Sequence, residues 1–268
     1  MKNIFKLLIV VAIVTFASCS GNKKSSNNAN AEPNACCKKV ETPNTLTAEE
    51  AKEGWVLLFD GKTTSGWRGY GKSTVPTNWK VENGTLAFKG SGQGEAGDQN
   101  AGGDLIFDKE FDNFTIKFDW KVSEGGNSGV FYLGKEVDGW PIYKTAPEYQ
   151  ILDNVRHPDA KLGKDGNRQS ASLYDLIPAK PQNSKPAGEW NTGEIIVYKG
   201  TVVHKQNGEV VLEYHLWTDD WKALVKDSKF PGLNPKWAEI AKEGYFGLQD
   251  HGDDVWYRNV KYLDMNMK

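Results

Sequence analysis

From Phe114 to Val122 the chain alternates without a break: Phe114, Ile116, Phe118, Trp120 and Val122 are apolar, and Thr115, Lys117, Asp119 and Lys121 between them are polar. A period of two puts all the apolar side chains on one side of a strand, whereas a helix would scatter them around its axis. Shorter apolar runs of the same kind recur. Residues 55–59 end at the turn pair Asp60-Gly61. Residues 79–81 and 85–88 flank Asn83-Gly84, and residues 201–205 and 210–214 flank Asn207-Gly208. Asn-Gly between two apolar runs is the strongest short hairpin signal, because both residues accept positive φ. Strands are also expected at 104–107, 129–133, 194–198, 245–249 and 255–263. Many short strands with turn signals at this spacing predict an all-β sandwich of two antiparallel sheets, not a βαβ fold. Two short helices interrupt it late. Thr218 is placed to cap residues 219 to about 229, and Asn234 to cap a helix with Pro235 first and Gly244 beyond its end. Two insertions, 156–188 and 217–243, are long for plain connections, and long loops on a rigid sandwich usually cover or carry a site.

The amino-terminal segment is of another kind. Lys2 and Lys6 precede an apolar run over 7–16 and then Ala17-Ser18-Cys19. A charged start, a short apolar stretch and small residues before a processing point form a signal peptide over 1–18. The run is well short of the roughly 20 residues that span a bilayer. Phe16-Ala17-Ser18-Cys19 is similar to a bacterial lipoprotein box, although Phe16 stands where Leu is usual, and lipidation is expected at Cys19; ordinary secretion is the alternative. Residues 19–50, rich in Ser, Asn, Lys, Ala and Pro, form the expected flexible tether, leaving 51–268 as one sandwich domain. Ser20-Gly21-Asn22-Lys23-Lys24 carries no acidic residue, which favours a periplasm-facing membrane surface over the cell surface. The other two cysteines, Cys36 and Cys37, fall in the tether, so the domain has no disulfide staple.

A net charge of -2 over 268 residues does not point to nucleic acid. Ten tryptophans are many, and sugar-binding proteins use exposed indoles as stacking surfaces. Candidate chemistry centres on Pro147-Glu148-Tyr149-Gln150-Ile151-Leu152-Asp153-Asn154. On a strand, Glu148 and Gln150 share one face, while Tyr149 and Ile151 share the other. With the second pair on a core, a carboxylate and an amide project together, either into a site or into water. In Gly247-Leu248-Gln249-Asp250-His251-Gly252, Gln249 and His251 have the parity opposite to Phe246 and Leu248, so they face outward in the same sense. An imidazole opposite Glu148 would serve proton transfer. Gly125-Gly126-Asn127-Ser128-Gly129 is a glycine turn entering a strand. Arg156-His157-Pro158-Asp159 follows the Glu148 strand, and in Gly188-Glu189-Trp190-Asn191 the indole is expected in the core. A retaining glycosidase needs two carboxyls about 5–5.5 Å apart, yet the alternate positions read Glu148, Gln150, Leu152. The second carboxylate is missing from this strand, though another strand could supply it. No zinc-type His spacing, P-loop or serine elbow occurs. No cofactor is required by the sequence, and divalent-metal binding by Glu148, His157, His251 or nearby Asp residues is left open.

The ordered set of motifs resembles the 3-keto-disaccharide hydrolase family. It runs from Gly54-Trp55-Val56-Leu57-Leu58-Phe59-Asp60-Gly61-Lys62 through Gly103-Asp104-Leu105, Gly126-Asn127-Ser128-Gly129-Val130 and Glu148-Tyr149-Gln150-Ile151-Leu152-Asp153. It continues with His157-Pro158-Asp159-Ala160, Ser172-Leu173-Tyr174, Gly188-Glu189-Trp190-Asn191 and His204 before Asn207-Gly208. It closes with Leu248-Gln249-Asp250-His251-Gly252 and Arg258-Asn259-Val260. The resemblance implies a concanavalin A-like jelly-roll sandwich, exported by bacteria and often lipid-anchored. It implies a glycoside substrate whose ring a partner sugar 3-oxidoreductase has oxidised at C3. A C3 ketone acidifies the C2 proton, so a base can remove it, the C1 aglycone can leave by elimination, and water can add back. Such a site needs one base, one proton donor and something to stabilise the enolate, which fits the missing carboxylate pair. On this reading Glu148 and His251 are the base and acid, in an order left open. Asp104, Asn127, Gln150, Asp153, His157, Gln249 and Arg258 are candidates for substrate contacts, and Trp140 for stacking on the sugar. Competing readings are a non-catalytic carbohydrate-binding lipoprotein and an ordinary endo-glycosidase, since the fold serves both.

Overall fold

The computed structural model describes residues 42–90 and 102–266. The expected signal peptide, Cys19, Cys36 and Cys37 lie outside them. Thirteen strands form among the described residues: β1 (Val56–Leu57), β2 (Trp67–Gly69), β3 (Trp79–Glu82), β4 (Thr85–Phe88), β5 (Leu105–Phe111), β6 (Phe114–Val122), β7 (Asn127–Gly134), β8 (Glu148–Leu152), β9 (Asn191–Tyr198), β10 (Thr201–Gln206), β11 (Glu209–His215), β12 (Gly244–Leu248) and β13 (Val255–Asp264). They make two sheets, antiparallel throughout. The larger runs β11-β10-β9-β6-β13-β4-β3 with β1 added on β13, and the smaller runs β2-β5-β12-β7-β8. Face to face they form the concanavalin-like jelly-roll sandwich. Both Asn-Gly pairs behave as expected: Asn83 and Gly84, and Asn207 and Gly208, all have positive φ in tight hairpins.

The core lies between the sheets. Phe114, Ile116, Phe118, Trp120 and Val122 of β6 are all buried, while Lys117, Asp119 and Lys121 are partly exposed. Phe118 meets Tyr149 of β8 edge-on at 5.4 Å. Each such fully buried side chain contributes roughly 1.5–3 kcal/mol. One polar chain crosses this core. His204 donates from Nδ1 to Ala171 O at 2.9 Å, so its Nε2 accepts from the Tyr132 hydroxyl at 2.8 Å, which in turn accepts from Tyr214 at 2.6 Å. Burial pulls the His204 pKa down to about 4, which keeps the ring neutral. Ala171 N–H also donates to Gln150 O, and Gln150 N–H to Ser172 O. These backbone bonds tie the 156–188 insertion to the strand that carries Glu148, and His204 ties the same insertion to Tyr132 of β7.

The folded chain starts earlier than the expected residue 51. Asn44 exchanges hydrogen bonds with Asn259 and donates to Gly84 O, and a capping box from Thr47 starts helix α1 (Ala48–Glu53). Thr218 caps helix α2 (Asp219–Lys226) as read, though the helix stops three residues short of 229. The helix expected after Asn234 does not form. Instead Asn234 ends a single turn, α3 (Phe230–Leu233), and its side chain is divided between Lys236 N–H and Lys144 O. The 217–243 insertion is held by three indoles, Trp217 to Ile240 O, Trp221 to Ala238 O and Trp237 to Tyr143 O. Anchoring Trp237 to a different loop is what pulls the backbone out of a helical path. Trp190 is not a core residue; it is partly exposed on the outer face of the larger sheet, with the Arg258 guanidinium 4.1 Å above its ring.

Candidate active site

The smaller sheet is buried on both faces. One face meets the main core; the other carries a satellite cluster of Ile106, Phe131, Ile142 and Ala146. Beside that cluster lies a cavity of about 310 Å³, at the small end of the usual range for ligand pockets. Three neighbouring strands supply its floor through parity. Tyr149 and Ile151 face the core, so Glu148 and Gln150 of β8 face the cavity; Asn127 comes from the start of β7, and Gln249 and His251 follow β12. The polar face of β8 thus does not meet open water: Glu148 is 8% exposed and Gln150 1%. Tyr143 and Ala146 form one wall. Tyr174, from the 156–188 insertion, and Lys229, Phe230 and Leu233, from the 217–243 insertion, form the others.

Each polar group is held in a definite state. Asn127 Nδ2 lies 3.1 Å from His251 Nε2. With the amide donating there, the imidazole carries its proton on Nδ1, 4.0 Å from Asp253 Oδ2. Asp253 accepts in turn from Asn127 N–H. The Gln150 Oε1 accepts from Ile151 N–H, so its amide nitrogen is the end with hydrogen bonds to offer. Two buried oxygens, Asn127 Oδ1 and Gln249 Oε1, have no hydrogen-bond partner among the described residues. Buried acceptors in native folds are paired, so two orphans on the wall of one cavity mark positions where a ligand brings donors. The Tyr174 hydroxyl donates to Asp159 at 2.9 Å, and burial raises its pKa, so it stays protonated. Arg168 neutralises the same edge, bonding Asp159 at 2.7 Å and Asp175 at 2.5 Å.

The remaining sequence candidates fall elsewhere, for identifiable reasons. Asp104 accepts from Asp250 N–H and steadies the turn before His251 rather than lining the cavity. Asp153 takes N–H bonds from Gly125, Val155 and Arg156; burial works against its charge, but these donors hold its carboxyl below the usual range. Trp140 lies over Lys144 beside two other surface grooves. Arg258 projects from the outer face of the larger sheet toward Asp119, because its neighbour Tyr257 points into the core. None of the ten tryptophans lines the cavity. His157 stands next to the site, its ring 6.0 Å from that of His251, and burial followed by the nearness of His251 lowers its pKa. His157, His251 and Asp253 bring ligand atoms within 4.8 Å of one another, the one such metal-capable group among the described residues. His157 Nδ1 already accepts from Asp159 N–H, so a metal on either ring nitrogen would cost that turn its cap. Tyr143, Tyr174, Lys229 and Phe230 carried no residue-level signal; for Tyr174, Lys229 and Phe230 the unusual length of the two insertions was the signal, and for Tyr143, in the turn between β7 and β8, there was none.

Residues 54–262 match the family model described as the 3-keto-alpha-glucoside-1,2-lyase-like domain. A relative from Bacteroides thetaiotaomicron, named 3-keto-disaccharide hydrolase, is 53% identical over an alignment covering 98% of this chain and 100% of the relative. Two crystal structures of proteins from Parabacteroides distasonis, assigned as glycosyl hydrolases, superpose on the chain. The first is 30% identical with a TM-score of 0.73, covering 84% of this chain and 100% of its own; the second is 26% identical with a TM-score of 0.61, covering 79% and 99%. The motifs of the smaller sheet, the ordered strands around them and this match over most of the length agree: the chain belongs to the 3-keto-alpha-glucoside-1,2-lyase-like domain family.

Proposed function

We propose that the protein cleaves 3-keto-glycosides by removing the C2 proton, eliminating the C1 aglycone and letting water add to the resulting enone. The observation that carries this reading is the composition of the cavity among the described residues: one carboxylate, Glu148, and one imidazole, His251, with two unpaired buried acceptors, Asn127 Oδ1 and Gln249 Oε1, beside them. A double-carboxylate glycosidase would need a second acid in that cavity, and among the described residues none lines it. Elimination needs one base and one acid, with a group to stabilise the enolate, and no second carboxylate. The unpaired oxygens suit the hydroxyls of a sugar ring, and the name of the Bacteroides thetaiotaomicron relative supports a 3-keto-disaccharide as the substrate class. The ketone must be installed beforehand, which calls for a sugar 3-oxidoreductase as the functional partner. Incubation with a 3-keto-glucoside and its unoxidised parent tests this directly. Aglycone should leave only the ketone, and deuterium placed at C2 should pass to water during turnover. Equal cleavage of the parent, or full retention of the deuterium, would sink the proposal.

We also propose a lipid anchor at Cys19, because that residue follows a signal-like segment and precedes a polar stretch without bulky apolar residues. Cys19→Ser should move the protein from the membrane fraction to the soluble one; unchanged fractionation would count against the anchor.

A further inference from the structure

Elimination next to a ketone needs three things of a site: a base for the C2 proton, a donor for the departing oxygen, and a partner for the negative charge that collects on the C3 oxygen. Glu148 and His251 cover the first two. The wall contributed by the 217–243 insertion offers the third, since Lys229 is the sole ammonium group lining the cavity among the described residues.

The surroundings of Lys229 separate it from an ordinary surface lysine. Its Nζ lies 4.2 Å from the centre of the Tyr174 ring and 5.7 Å from that of Phe230. Both rings line the cavity, and Phe230 is itself fixed by stacking on Trp237 at 3.9 Å. The Lys229 Nζ makes a long ion pair with Asp175 Oδ2 at 3.8 Å, and Asp175 already takes a bond of 2.5 Å from Arg168. Asp159, the other acid nearby, is taken by Arg168 and Tyr174. Within the loop the ammonium group therefore makes one long ion pair, while Arg168 supplies the short bonds to both acids. Burial lowers its pKa, with Asp175, Glu148 and Asp159 acting in the opposite sense. The side chain is still 39% exposed, so it stands at the mouth, where a sugar ring would cover it and remove the water that screens its charge.

We propose that Lys229 is a third catalytic residue, whose positive charge stabilises the oxygen of the C3 enolate. The proposal rests on the 3-keto reading above. The base takes the C2 proton, the C2–H electron pair becomes the C2=C3 bond, and the carbonyl π pair moves to oxygen, beside the Lys229 ammonium. That oxygen pair then re-forms the C3 carbonyl, the C2=C3 pair shifts to C1=C2, and the C1–O bond breaks, its oxygen leaving with a proton from the acid. Lys229 gives up no proton and forms no bond to carbon. It acts through charge, so a cation of different shape can take its place in part.

The experiment compares Lys229→Met and Lys229→Arg with the wild type on a 3-keto-glucoside, following kcat, KM and loss of C2 deuterium. Lys229→Met should lower kcat by at least about tenfold with little change in KM, since the charge it meets develops only in the transition state. Deuterium loss should slow by the same factor, and Lys229→Arg should recover most of it. Full kcat in Lys229→Met, or a rise in KM alone, overturns the assignment while leaving the substrate reading intact. So does borohydride trapping of the 3-keto-glucoside on Lys229 of the wild type, which would mean a covalent imine. No turnover by the wild type overturns the substrate reading and this proposal with it, and the two failures are therefore told apart by the wild-type control.

Discussion

Glu148→Gln should reduce aglycone release from a 3-keto-glucoside by at least about a hundredfold, the usual effect of losing a general acid or base. His251→Ala should cost as much. Among the described residues Glu148 is the single carboxylate on the cavity wall, and His251 is placed beside Asn127 and Asp253, so neither has an evident substitute within the site. The amide of Gln keeps the size of the carboxylate and loses its capacity to take a proton. Binding should persist, because Gln150, Asn127 and Gln249 still offer their hydrogen bonds to the ring. The pattern to look for is a fall in kcat with KM nearly unchanged. A Glu148→Gln enzyme that keeps more than a tenth of wild-type kcat would remove Glu148 from the chemistry.

The second large effect is expected from a residue with no side chain. A Cβ on Gly129 would lie 2.2 Å from Glu148 Oε1, 2.8 Å from its Cδ and 2.9 Å from its Cγ. Gly129 pairs with Gln150 across the β7–β8 ladder, and the Glu148 side chain passes over the space where a Cβ would stand. Its φ is not positive, so alanine meets no backbone strain there. The conflict lies with the carboxylate alone. Gly129→Ala should fold, with a circular dichroism spectrum like that of the wild type, yet lose on the order of a hundredfold in kcat, because displacing a reacting group by about 1 Å costs that much. The double variant Gly129→Ala/Glu148→Gln should be scarcely worse than either single one, since both act through the same group. Full activity in Gly129→Ala would mean that the observed position of Glu148 is not the one that works.

Strand periodicity was legible in the chain because it is local. The inward and outward sets of β6 follow from alternation alone, as does the shared parity of Glu148 with Gln150 and of Gln249 with His251. Both hairpins were legible because Asn-Gly pairs tolerate positive φ where other pairs do not. Helix α2 announced itself through the Thr218 cap.

What local pattern could not decide was which outward faces meet. Placing β12 beside β7, and β7 beside β8, is a choice among long-range pairings; it gathers Asn127, Glu148, Gln150, Gln249 and His251. The same tertiary choice excluded Arg258 and Trp140. Arg258 has an outward parity too, but on the other sheet, and Trp140 belongs to a loop that closes elsewhere. The second helix failed because Trp237 gains a buried contact and a bond to Tyr143 O, neither of which its neighbours in sequence reveal. Lys229 and Tyr174 entered the site for the same reason. Alternation and turn chemistry determined a two-sheet sandwich and the face each strand presents, since those depend on neighbours two to four residues away. The cavity itself, its walls and the Lys229 ammonium group at its mouth were decided by contacts between insertions far apart in the chain, where packing against a common sheet outweighs any local preference.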